Sequence, residues 1–434
     1  MSSPSPSRLH LLFLTVATCT LCALPAFADS QARIVRLSDV QGSVQINKNS
    51  GLGFEHAFVN LPITQGVQLR TGATGRAEVE FEDGSSMRLG PNTSIEFSRL
   101  GADDSGKRSS EIDLTDGMAY VNWMGKDNFA LTFSHEKIAL DHAAHFRVDT
   151  SAQFSNVAVF KGDLEVEGPA GKLMVDKKKT ATFDAANDDK STVASKISEE
   201  PLDQWDRESV SYHDQYAKNN QTPLGYGASD LGYYGAYSNV PGYGMMWQPY
   251  FAGVGWDPFM DGAWGWYPGF GYMFASAYPW GWTPYFYGNW AYVPGYGWGW
   301  QPGGFNGWHP IPHYTATTLT HVSLAVPAGE SGKTIFVGKG GTASTFSPLP
   351  TTVRSGSAGM GIARGSLTDL KGLNHQVAKS GFARVEPAPQ FARTSSRGSS
   401  PSFGEASSRG SVASAPMAHP GSAGHTSSGS GSHH

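Results

Sequence analysis

The sequence predicts an all-β architecture, and three observations carry that reading. Between residues 31 and about 185, short apolar/polar alternations recur with Gly or Asn/Asp punctuation between them, the pattern of half-buried strands joined by turns. Composition is uneven, with 53 Gly and 26 Pro against only 16% charged residues, which argues for several modules of different character. Finally, residues 226–310 concentrate Trp, Tyr, Gly and Pro in a pattern that repeats. The expected organisation is a segment 1–28 that is removed, a β-rich domain over 29–200 (sandwich or short roll) and a linker helix within 201–225. An aromatic β-hairpin module follows over 226–345, and then a disordered Ser/Gly-rich tail over 346–434.

The first segment reads as a secretory signal. After "MSSPSPSRLH" comes the apolar run "LLFLTVATCTLCALPAFA", which ends in the small-x-small site Ala26-Phe27-Ala28. A retained membrane anchor is the alternative, since the run is near the lower limit for a span. Both cysteines, Cys19 and Cys22, fall inside it, and Thr18 and Leu21 before them do not suit a lipid-anchor site. Cleavage after Ala28 leaves a chain without cysteine, exported to a periplasm or beyond, with no disulfide and no thiolate chemistry.

Strands follow in order. "RIVRLSDVQGSVQIN" alternates around Gly42, and "RAEVEFEDGSSMRLG" puts Ala77, Val79 and Phe81 on one face before a hairpin turn at Asp83-Gly84. "TSIEFSRL", "EIDLTDGMAYVNW", "FALTFSH", "KIALDHAAHFRVDT", "NVAVFKGDLEVEG" and "KTATFDA" continue the pattern. On these residues the segment resembles the FecR domain of periplasmic signalling proteins over roughly 33–185. The matching elements are Gly42-Ser43-Val44, Gly66, Thr71-Gly72, Gly75-Arg76-Ala77, Asp83-Gly84-Ser85, Pro91-Asn92-Thr93, then "LTDGMAYVNW", "HFRVDT" and "VAVFKGDLEVEG". The resemblance implies a regulatory relay from an outer-membrane TonB-dependent receptor to a sigma factor. Such a relay needs a cytoplasmic segment, and only about ten residues precede the apolar run here. The expectation is therefore an exported binding or assembly module. A signalling accessory to a receptor or to a membrane-bound anti-sigma regulator is the alternative.

"EEPLDQWDRESVSYHDQYAKNN" spaces Leu202, Trp205, Ser209, Tyr212 and Tyr216 at helical steps, predicting one helix that ends near Asn219-Asn220, with Trp205 packing it onto the β domain.

Ten of the twelve tryptophans lie in residues 226–310. Trp264-Gly-Trp266-Tyr-Pro268, Trp280-Gly-Trp282-Thr-Pro284 and Trp298-Gly-Trp300-Gln-Pro302 form an internal repeat. In a strand, Trp-x-Trp places both indoles on one face, and the following Pro ends pairing, so each unit is expected to be one arm of a small hairpin. These units resemble a Trp/Tyr/Gly/Pro-rich domain of unknown function that follows FecR-like domains in exported bacterial proteins, over roughly 245–310. Three readings stand: rings stacked as a miniature core, rings exposed as a platform for a glycan such as peptidoglycan, or a poorly ordered self-associating segment. The platform reading names Trp266, Trp282, Tyr285, Trp290 and Trp300 as its ligand-binding residues. No Lys or Arg occurs between Lys218 and Lys333, so the basic groove that nucleic acid requires is missing from this segment.

After residue 350, Ser, Gly, Ala and Pro dominate, which predicts a tail unable to bury a core. "SHEKIALDHAAH" brings His135, Glu136, Asp141, His142 and His145 together in sequence, yet a strand separates residues three apart onto opposite faces. No nucleophile elbow or phosphate-cradling loop is present, so neither an enzyme nor a cofactor is expected, and the partner is expected to be an envelope protein or a glycan.

Overall fold

The computed structural model describes residues 33–385, apart from 104, 223–224, 309–312, 316–320, 323–325, 328–331 and 339–351. The segment 1–28, expected to be a secretory signal, lies outside the described residues.

Seventeen strands between Val35 and Ala194 form two facing layers around one apolar core. The layers share the long strand Arg108–Trp123. Its first half pairs with Ser94–Ala102 and, in parallel, with Asn128–Phe133, and its second half pairs with Ser86–Leu89 and Ala144–Thr150. The chain changes layer at Gly117, where φ is +93° and an added Cβ would lie 2.6 Å from the Thr93 Cα. Only glycine fits there. Ala77, Val79 and Phe81 face the core as the alternation predicts. The Asp83-Gly84 turn differs from a two-residue hairpin. Gly84 alone takes positive φ, the Asp83 carboxylate accepts from the Ser85 N–H, and the loop runs from Phe81 to Ser85.

The linker helix spans Asp203–Tyr216 and ends in a single turn of 3₁₀ helix over Ala217–Asn219. Its buried residues include Asp203 and Asp206 as well as Tyr212.

Beyond it, a short helix Ala228–Tyr234 leads into two small sheets. One contains Gly235–Val240, Gly244–Pro249, Gly297–Phe305, Tyr287–Val293, His313–Thr315 and His321–Val322; the other contains Gly271–Ser276, Gly262–Tyr267 and Ile335–Val337. Two of the three repeat units lie on strands, at Trp264–Trp266 and Trp298–Trp300. The middle unit departs from the expectation. Trp280-Gly-Trp282 forms a tight turn that feeds the short helix Thr283–Phe286, with Pro284 in its first turn.

Another correction concerns the tail. Residues 352–385 contain a two-stranded sheet (Thr352–Arg354 with Phe382–Arg384) and the helix Leu370–Ser380, capped by Asp369. Val353, Ile362, Leu367, Leu370 and Val377 are buried in the main core. This segment makes no core of its own; it is held because its apolar residues fill one supplied by earlier elements.

Candidate functional site

The aromatic module is packed from ring to ring. Trp280 contacts Trp247 at 4.9 Å, Tyr278 at 5.2 Å and Trp290 at 5.9 Å between ring centroids. Pairs of this kind add about 0.5–1.5 kcal/mol each beyond their area burial. The indole N–H groups of Trp247, Trp280 and Trp300 donate to the carbonyls of Leu231, Ala358 and Tyr287. Trp282, Tyr285, Trp290 and Trp300 are all buried, and of the five platform candidates only Trp266 is half-exposed, edge-on to Tyr272. Four of the five therefore offer no face to a sugar ring. In a segment this rich in Gly, the rings are the available source of core volume.

The polar centre of the molecule lies on the outer face of one β layer. Register places Asp39, Glu78, Arg88, Tyr120 and Arg147 in one row across five strands, and Arg36, Glu80, Ser86, Asn122 and His145 in the next. A register shift between Leu37 and Asp39 brings Arg36 and Asp39 onto this same face. Alternation alone would assign these side chains to solvent. Instead the linker helix, the start of the aromatic module and the C-terminal segment cover them.

Glu78 is the hub. Its carboxylate accepts from Arg88 Nε at 2.9 Å, Arg364 Nη1 at 2.6 Å and Ser38 Oγ at 2.8 Å, and lies 3.0 Å from His213 Nε2. Arg88 continues to Asp206 at 2.7 Å, which also meets His145 Nε2 at 2.8 Å. Arg364 continues to Asp230 at 2.6 Å, which also receives Arg36 at 2.7 Å and the Tyr212 hydroxyl at 2.8 Å. Arg36 further donates to Glu80, Asn60 and the Pro279 carbonyl. Nearby, Arg147 and Tyr120 both donate to Asp203. Burial alone would raise the Glu78 pKa, but His213, Arg364 and Arg88 outweigh it and hold the carboxyl well below the usual range. Asp39 moves the opposite way: burial dominates and raises it, against the nearby Arg364.

Above this network lies a cleft of about 780 Å³. Its floor includes Asp39, Glu78 and Arg364, one wall is the linker helix from Gln204 to Tyr216, and the other is the turn around Gly365 and Thr368. Arg76 sits at its edge with its guanidinium carbon 5.5 Å from the centre of the Trp205 ring. Trp205 packs edge-on against Tyr120 at 6.4 Å, so it does join the helix to the β domain, but it remains half-exposed in the cleft. His142 and His145 do not come together, although not by strand alternation, since only His145 lies on a strand, Ala144–Thr150. His142 bonds Asp141 in a turn, while His145 points to Asp206.

Residues 67–165 match the family model described as FecR protein, and residues 228–325 match a family of unknown function, DUF6600. The chain carries a FecR domain. The DUF6600 match begins with the helix that contributes Asp230 to the network and takes in all three Trp repeat units. FecR domains are signalling-related and envelope-associated, and among the described residues no helix is long and apolar enough to cross a membrane. Two crystal structures of a candidate anti-sigma factor from Parabacteroides distasonis ATCC 8503 are also similar. One has 17% identity and a TM-score of 0.26, over 30% of this chain and 59% of that one. The other has 16% identity and a TM-score of 0.27, over 36% and 68%. Among curated proteins, none matches the chain.

Proposed function

We propose that this chain is a non-catalytic binding or assembly protein of the cell envelope, exported by its N-terminal segment, and that it meets another envelope protein at the cleft beside the FecR domain. One observation carries this reading. The cleft opens where three separate segments converge, and the Glu78-centred ion network fixes its walls. Fixed walls favour recognition, since little ordering entropy is then lost on binding. The buried carboxylate of the cleft floor, Glu78, is committed to Arg88, Arg364 and His213, which suits a recognition surface more than acid–base turnover. Burial of four candidate rings favours a protein partner over a glycan. The FecR domain itself favours a second reading, an accessory to a TonB-dependent receptor or a membrane-bound anti-sigma regulator.

Photo-crosslinking in the native envelope tests both. A photoreactive residue at Gln204 or Thr368, on the cleft walls, is expected to give one discrete protein adduct, whereas one at the remote exposed Met174 gives none. A receptor in the adduct selects the second reading. Identical patterns at all three positions, or adducts to peptidoglycan alone, would overturn the assignment of the cleft to a protein partner.

A further inference from the structure

We propose that the cleft is a receptor site for a peptide carboxylate, with Arg76 as the residue that receives it; this rests on the cleft being the partner site.

Pairing of the charges singles out Arg76. Glu78 is met by Arg88, Arg364 and His213, and Arg364 is satisfied again by Asp230. Asp39 accepts from the Gln41 side chain at 2.8 Å. Arg76 has no carboxylate partner among the described residues; its guanidinium lies over the Trp205 indole. A guanidinium placed over a ring still has N–H groups to donate, and its planar fork matches a carboxylate through two parallel hydrogen bonds.

The position is set by the fold. Arg76 stands opposite Gln41 and Glu78 opposite Asp39 on adjacent strands, so the four side chains form a block on one sheet face beneath the helix. Gly75 fixes the approach of this strand end, because a Cβ there would lie 2.0 Å from the Ser43 carbonyl oxygen. Asp39, Glu78 and Glu208 also line the cleft and disfavour a doubly charged anion such as phosphate. A single carboxylate carried on amides fits better, since Gln41, Gln204 and Thr368 offer donors and acceptors along the walls.

Calorimetric titration of the full mature chain with acetyl-Ala-Ala-Ala, as the free acid and as its C-terminal amide, tests the site. The acid is expected to bind about ten-fold or more tightly than the amide, the scale of a charge-assisted bidentate contact. Arg76→Gln should abolish that preference, and Arg76→Lys should weaken it by losing the fork. Arg99→Gln, at a largely exposed arginine outside the cleft, should leave it intact. Equal binding of acid and amide, a preference that survives Arg76→Gln, or no heat from the acid up to about 10 mM would overturn the proposal. If Arg76→Gln does not fold, the acid/amide comparison on the unaltered chain and the Arg76→Lys variant still decide. Loss of the acid preference with crosslinking at Gln204 retained removes only the ligand class; loss of both removes the partner site as well.

Discussion

Glu78 shows how strongly context overrides a residue's type. It is one polar position in an alternating strand, yet it is 2% exposed and bound by groups from three other segments. Glu78→Gln should destabilise the protein by about 3–5 kcal/mol, because it leaves Arg88 and Arg364 under-compensated in a buried site. The pH dependence has a definite sign. The folded-state pKa lies below the ordinary 4.5, so as pH falls the unfolded chain takes up the proton first. The stabilisation is complete above that value and is lost as pH drops through the lower folded one. Denaturant titrations of the parent and the Glu78→Gln protein should therefore show a gap that narrows as pH falls below 4.5; a constant gap from neutral to acid would contradict the ion-pair account.

Among the elements, the segment 352–385 depends most on others. Half of its residues lie outside helix and strand, and its attachment runs through the hydroxyls of Tyr233 and Tyr234, the Trp280 indole and the Arg364 ion pairs. Arg364→Ala should raise amide hydrogen exchange over 355–368 by about ten-fold or more and leave the strand Arg108–Trp123 protected, read by mass spectrometry. Exchange that rises equally in both regions would mean that Arg364 supports global stability and not this attachment. The linker helix follows the same logic. Its helical spacing is visible in the sequence, but its burial of Asp203 and Asp206 is not, because the arginines that meet them lie far away on other strands.

For the whole molecule, the FecR domain and the aromatic module share one contiguous apolar core as well as the ion network. Arg36 bonds the Pro279 carbonyl, Asn60 bonds the carbonyls of Ser276 and Tyr278, and the Tyr267 hydroxyl donates to Pro62. Heating should give one cooperative transition, with the blue-shifted tryptophan emission of packed rings collapsing together with the strand signal in circular dichroism. Two separated transitions would show that the modules fold independently.

The sequence by itself determined the strand succession, the turn glycines, the linker helix and the Trp repeat, because those depend on local spacing and backbone preference, whereas the change of layer at Gly117 emerged only from the structure. It also showed that the aromatic segment carries no basic side chain. Tertiary structure alone decided which faces are buried. The polar alternates of the strands, Arg36, Asp39, Glu78, Glu80, Arg88 and Arg147, have the pattern of a solvent face and become an interior one under a helix and two later segments. The rings Trp282, Tyr285, Trp290 and Trp300 have the composition of a binding platform and became core. A residue's pattern sets which side of a strand it points to; what covers that side is fixed by residues up to hundreds of positions away, as Arg364 and Glu78 are.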